Sequence, residues 1–122
     1  MATAWPDVRR RITATIRPGR SVLKCDGIGR RPVTGNDSRT VSIRTGVKTT
    51  QTKTISYEML EHAVAVLNQT GRLTSADFRG RFGREYTAAP CRFSMTGGVL
   101  VEVGVATLVP GKREGSCIYE LA

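Results

Sequence analysis

Position 56 divides this chain into two halves of different chemistry, and any fold has to accommodate that division. Up to Ser56 the sequence is rich in threonine and β-branched residues, broken by glycines, and it holds twelve Lys+Arg against three Asp. From Tyr57 onward apolar residues recur at helical spacing, and seven cations are balanced by seven acids. The whole formal charge of +9 therefore belongs to the first half. A chain of 122 residues supports one domain, or one domain with a small appended module, but not two full cores. The expected class is α+β, with an Arg-rich β module over residues 1–55 leaning on a helical domain over residues 56–122.

Within the first half, Arg11-Ile-Thr-Ala-Thr-Ile16 alternates as a strand does, and Pro18-Gly19 marks a turn. Ser21-Val-Leu-Lys-Cys25 reads as a second strand. Asp26-Gly27-Ile-Gly29 and Gly35-Asn36-Asp37 read as loops. Thr40-Val-Ser-Ile-Arg-Thr45 sets Val41 and Ile43 on one face and Ser42 and Arg44 on the other, and Thr52 to Ser56 makes a further strand. The glycines of Gly27-Ile-Gly29 lack the spacing of a phosphate loop and read as turn residues.

The second half opens with a helix from Tyr57 to Gln69. Ser56 is its N-cap, Glu58 lies in the first turn, and Leu60, Ala63, Val64 and Leu67 form a buried stripe that Gly71 ends. Thr74 or Ser75 caps a second, short helix over residues 76–82, with Phe78 and Phe82 inward and Arg79 and Arg81 outward, stopped by Gly83. A third helix follows Thr87. Its inward face is expected to hold Phe93, Gly97, Leu100 and Val101, and its outward face Arg92, Met95, Val99 and Glu102. Residues Val105–Val109 and Ser116–Leu121 then flank a basic turn and make a hairpin.

Two runs carry a resemblance to a known domain. They are Leu73-Thr-Ser-Ala-Asp-Phe78, which opens the second helix, and the close Val103-Gly-Val-Ala-Thr-Leu-Val-Pro-Gly-Lys-Arg-Glu-Gly-Ser-Cys-Ile-Tyr-Glu-Leu121. Over about residues 56–122 the order of helix, link, helix, turn, helix and basic-tipped hairpin resembles the bacterial winged helix-turn-helix. The resemblance implies a third helix in the major groove of duplex DNA and a wing touching the backbone or minor groove. Its implied contacts are Arg92, Ser94, Met95 and Thr96 on the third helix, Lys112 and Arg113 on the wing tip, and Arg79, Arg81 and Arg84 beside the second helix. By analogy it also implies a homodimer.

The charge of the first half extends that expectation. Arg9, Arg10, Arg11, Arg30, Arg31, Arg44 and Lys48 would continue a positive surface along the duplex. Trp5 is the one aromatic residue before Tyr57, so stacking on single strands is not indicated. The expected protein is a non-catalytic regulator or accessory factor that binds duplex DNA. The competing readings are a protein-interaction module, such as a phage-type inhibitor docking on an acidic partner, and an RNA- or ribosome-associated protein.

Little points to chemistry. His62 is the sole histidine and reads as a mid-helix residue at the surface or the edge of the core, and Asp26, Asp37 and Glu58 lack metal-ligand spacing. No catalytic group, metal or cofactor is expected. Cys25, Cys91 and Cys117 are odd in number and widely spaced, which predicts reduced thiols in a cytoplasmic setting rather than a disulfide or zinc framework. No apolar run approaches the length of a membrane span. The N-terminal stretch lacks the apolar core of a secretory signal, and its strand-like alternation outweighs its likeness to a transit peptide.

Overall fold

The computed structural model describes residues 3–45, 51–113 and 115–122. The fold is α+β, and the described residues form two antiparallel sheets and four helices. A single cluster of buried side chains draws on both halves of the sequence, from Val8 to Tyr119.

The chain begins with helix α1, Trp5–Thr15, where alternation predicts a strand from Arg11. That expectation is corrected by a longer periodicity. Val8, Ile12 and Ile16 are four residues apart and all fully buried, so one helical face meets the core. Pro6 presets the first turn and Asp7 complements the helix dipole. The alternation of Ile12 and Ile16 with threonines is a by-product of that spacing, since multiples of four are also multiples of two.

Four strands follow: β1 (Ser21–Leu23), β2 (Arg30–Asn36), β3 (Thr40–Arg44) and β4 (Thr52–Ser56), in a meander of that order. Val33 faces Ile43 and Val41 faces Ile55, so one side of the sheet is apolar. Two carboxylates shape the loops. Asp26 accepts from the amides of Ile28 and Gly29, and Asp37 from those of Arg39 and Thr40. These bonds to the ionised form hold both groups below the usual aspartate value of 3.8.

Helix α2 (Tyr57–Thr70) is capped by Ser56, whose side chain accepts from the Met59 amide, and it ends on Gly71 at φ 79°. After the short strand β5 (Arg72–Leu73), a capping box between Thr74 and Asp77 starts α3 (Ser75–Ala88). This helix outruns the expected stop at Gly83. The backbone leaves helical geometry at Phe82 and then resumes, because Phe78, Phe82 and Tyr86 keep one face on the core. Helix α4 (Cys91–Glu102) leads into β6 (Ala106–Val109) and β7 (Ile118–Leu121), and β7 lies between β5 and β6 in the second sheet.

α4 is the centre of the molecule. Every residue from Phe93 to Leu100 is buried, so the outward face expected for Met95 and Val99 does not exist. On one side the Tyr119 ring of β7 sits against Gly97, and its hydroxyl donates to the Ser94 carbonyl at 3.2 Å. On the other side β1 closes over Gly98, where a Cβ would lie 2.8 Å from the Leu23 carbonyl oxygen. The glycine pair that weakens the helix by propensity is what lets two sheets close on it. Cys25 and Cys117 form a disulfide that ties the end of β1 to the start of β7, which overturns the reading of reduced thiols. The argument for a reducing compartment falls with it, and Cys91 stays free and half-buried.

Candidate nucleic-acid interface

The third-helix contacts implied by the winged-helix resemblance are not at the surface. Ser94 and Thr96 are fully buried. The Thr96 hydroxyl donates to the Arg92 carbonyl at 2.8 Å, and Ser94 accepts from the Arg31 guanidinium at 3.0 Å. Arg92 is half-buried and donates to the carbonyls of Thr54 and Glu85 at 2.9 and 3.1 Å, so it ties β4 to the end of α3. The physical reason is the same for all three: α4 has a sheet on each side, leaving no face for a groove.

The basic module divides likewise. Arg31 is buried, because the period of two along β2 places it on the core face with Val33 while Arg30 points out. Reading the pair as adjacent surface cations is thus corrected. Arg30 bridges Ser21 and Glu102, pairing with the latter at 2.8 Å. Arg11 donates to the Val103 carbonyl at 2.8 Å, at the C-cap of α4, where a cation complements the helix dipole. Arg44 is half-buried on β3, and Lys48 lies outside the described residues.

Arg9 and Arg10 have a different setting. With Thr13, Ala14, Arg17 and Ser38 they line an open groove of about 670 Å³ between α1 and the β2–β3 turn. Positions 9, 10, 13 and 14 share the outward face of α1, opposite Val8 and Ile12, and Arg17 follows just past the C-cap Ile16. The turn supplies the second wall. Asn36 donates to the carbonyls of Ile12 and Ile16 at 3.2 and 2.8 Å and accepts from the Tyr57 hydroxyl at 2.7 Å and the Ser38 amide at 3.0 Å. Those bonds hold Ser38 at a φ of 70° and join turn, α1 and α2.

Over this floor the Arg9 guanidinium sits 5.7 Å from the centre of the Tyr57 ring and donates to the Ser38 carbonyl at 3.3 Å. Arg17 donates to the Thr13 carbonyl at 2.8 Å. Arg10 is paired with Asp7, while Arg9 and Arg17 make no ion pair with a described carboxylate. Sequence reasoning marks Arg9 and Arg10 but misses Thr13, Arg17 and Ser38 as groove residues. For Thr13 the signal is the four-residue spacing of Val8 and Ile12, which predicts the helix and its outer face; Arg17, past the helix end, and Ser38, in the β2–β3 turn, join the groove through tertiary packing.

A second set of cations lies around α3 and the hairpin tip. Arg79, Arg81, Arg84, Lys112 and Arg113 are all exposed. Arg79 lies over the Tyr86 ring and Arg81 over that of Phe82. Arg81 also borders a recess of about 170 Å³ with Glu58, Glu61 and His62, so two acids share its surroundings. Among the described residues there is no group of three or more metal-ligating side chains, and no helix is long and apolar enough to cross a membrane. No protein-family model, curated protein or solved structure matches the chain.

Proposed function

We propose that this is a duplex-DNA-binding protein that grips the phosphate backbone from outside its third helix. The order α2, β5, α3, α4, β6, β7, with β7 between its two neighbours, supports a winged-helix reading of residues 56–122. With α4 enclosed, base reading by that helix is not part of the proposal. The observation that carries it is the groove of α1, where three outward arginines stand together and Ser38 forms the opposite wall. Arginine suits that task because its planar fork bonds two phosphate oxygens at once. The cations of α3 and the hairpin tip extend the contact, and affinity follows counterion release rather than sequence.

The test compares the native chain with Arg9→Gln/Arg10→Gln/Arg17→Gln on a 30-base-pair duplex across a salt series. Each phosphate contact contributes about −0.9 to the slope of log affinity on log salt, so removing three shallows it by about 2 to 3. Affinity at low salt is expected to fall at least about tenfold. An equally steep slope in the variant removes the groove from the mechanism. Absence of duplex binding by the native chain at low salt ends the proposal, and tighter binding to structured RNA redirects it.

A further inference from the structure

Outside the groove, the most exposed large apolar side chain among the described residues is Ile28, at 84%. It sits at the tip of the Asp26–Gly29 loop, and that loop is firmly held. The Lys24 amide donates to the Gly29 carbonyl at 2.8 Å and the Gly27 amide to the Lys24 carbonyl at 3.0 Å. The Asp26 carboxylate turns inward onto the Ile28 and Gly29 amides, and Cys25 beside it is bonded to Cys117.

The same loop rests on the start of the hairpin turn. Gly27 approaches Pro110 and Leu108 so closely that a Cβ there would meet Pro110 Cγ at 3.0 Å. The Gly111 amide donates to the Cys25 carbonyl at 3.0 Å. Two loops from opposite ends of the sequence are thus fused into one tip. It presents Ile28, the exposed Pro110 and the 42%-exposed Val109, with the exposed Lys112 and Arg113 following directly in the chain. A lone exposed isoleucine needs no explanation. An isoleucine held out on a stapled loop that rests through Gly27 on Pro110, with two cations two and three residues past that proline in the chain, is a shape with a use.

We infer that Ile28 is a wedge that enters the base stack of duplex DNA from the minor groove and bends it, while Lys112 and Arg113 hold the flanking phosphates. Apolar side chains inserted between base steps unstack them and kink the duplex, and a wedge works only if its support does not yield. Here the disulfide and the loop hydrogen bonds provide that support. The cations choose the duplex over other apolar environments, because a tip with one large side chain offers too little area to hold a lipid surface.

This inference rests on the duplex-binding proposal, and one experiment separates the two. A 30-base-pair duplex carrying donor and acceptor dyes at its ends reports bending by energy transfer, and its titration reports affinity. The native protein is expected to raise transfer on binding. Ile28→Ser is expected to bind about tenfold more weakly, with the salt slope unchanged and the rise in transfer lost, while Ile28→Phe keeps it. Folding of both variants is checked by circular dichroism, and the high exposure of Ile28 makes loss of fold an unexpected result. Binding without a rise in transfer by the native protein, or an undiminished rise with Ile28→Ser, overturns the wedge and leaves duplex binding standing. No binding at all overturns both. Ile28-dependent co-sedimentation with anionic phospholipid vesicles, with the duplex left straight, also overturns it.

Discussion

Helices α3 and α4 are made from similar materials and put them to opposite uses. Each carries two glycines in its interior and arginine at or near its surface. In α3 a Cβ added at Gly80 or Gly83 would meet no atom within 4 Å, and Arg79, Arg81 and Arg84 stand in solvent. In α4 a Cβ at Gly97 would overlap the Tyr119 ring and one at Gly98 would press on the Leu23 carbonyl, while Arg92 is spent on two backbone carbonyls. Residue type does not decide which helix keeps a face in solvent. What decides is whether one or both faces of the helix are covered: among the described helices α1, α2 and α3 each keep an exposed face, whereas α4 is buried from Phe93 to Leu100.

The contrast depends on α4 staying covered, and its cover is fastened by one covalent bond. Cys25 and Cys117 are 92 residues apart, so their bond restricts a long loop in the unfolded chain. Loops of that size correspond to about 4.6 kcal/mol of stability in the chain-entropy account. The double variant Cys25→Ala/Cys117→Ala is expected to lose about that much in urea titration, the largest single effect in the molecule. Hydrogen exchange on the same variant sharpens the comparison. If α4 amides keep their protection at the level of the remaining global stability, burial of α4 belongs to the packing. If they exchange far faster than those of α2, the disulfide alone keeps the helix from solvent and the contrast with α3 is conditional.

Next in size is Gly97→Ala. The overlapping ring cannot turn aside, because Tyr119 is fully buried and its hydroxyl is bonded to the Ser94 carbonyl. Overpacking of this kind costs about 1–3 kcal/mol and here belongs at the upper end. Gly98→Ala, pressed on a backbone carbonyl, belongs in the same range. A neutral or stabilising Gly97→Ala, measured by denaturant titration, would show that the second sheet does not close on α4 as described.

Legibility in the sequence followed the same division. The start of α2 could be read because cap, first-turn acid and apolar stripe are local and agree: Ser56, Glu58 and the Leu60 to Leu67 spacing. Alternation in β3 was equally readable, since Val41 and Ile43 are both buried. α1 was misread because a spacing of four satisfies both periods, and only Val8 and Pro6, upstream of the alternating run, distinguish them. The enclosure of α4 was not readable, because covering a helix on both sides is a tertiary event and its glycines carry the same letters as those of α3. The Cys25–Cys117 pairing was hidden by its long separation and an odd cysteine count. Of the candidate site, the charge excess was legible. Its distribution was not, since Arg11, Arg31 and Arg92 serve the fold and Arg9 and Arg17 line the groove.

The smallest effect expected concerns the free face of α3. Gly80 has a helical neighbourhood, no left-handed φ and open space where a Cβ would stand. Alanine there removes backbone freedom from the unfolded chain without meeting anything in the folded one, so Gly80→Ala is expected to stabilise by about 0.5–1 kcal/mol. The sign opposes that of Gly97→Ala, and that opposition is the comparison in its plainest form: one substitution, two helices, two outcomes set by what lies beyond the Cβ. A destabilising Gly80→Ala would mean that α3's outer face is occupied in solution. Arg79, Arg81 and Arg84 would then drop out of the proposed phosphate contact, leaving it to the groove of α1 and the hairpin tip.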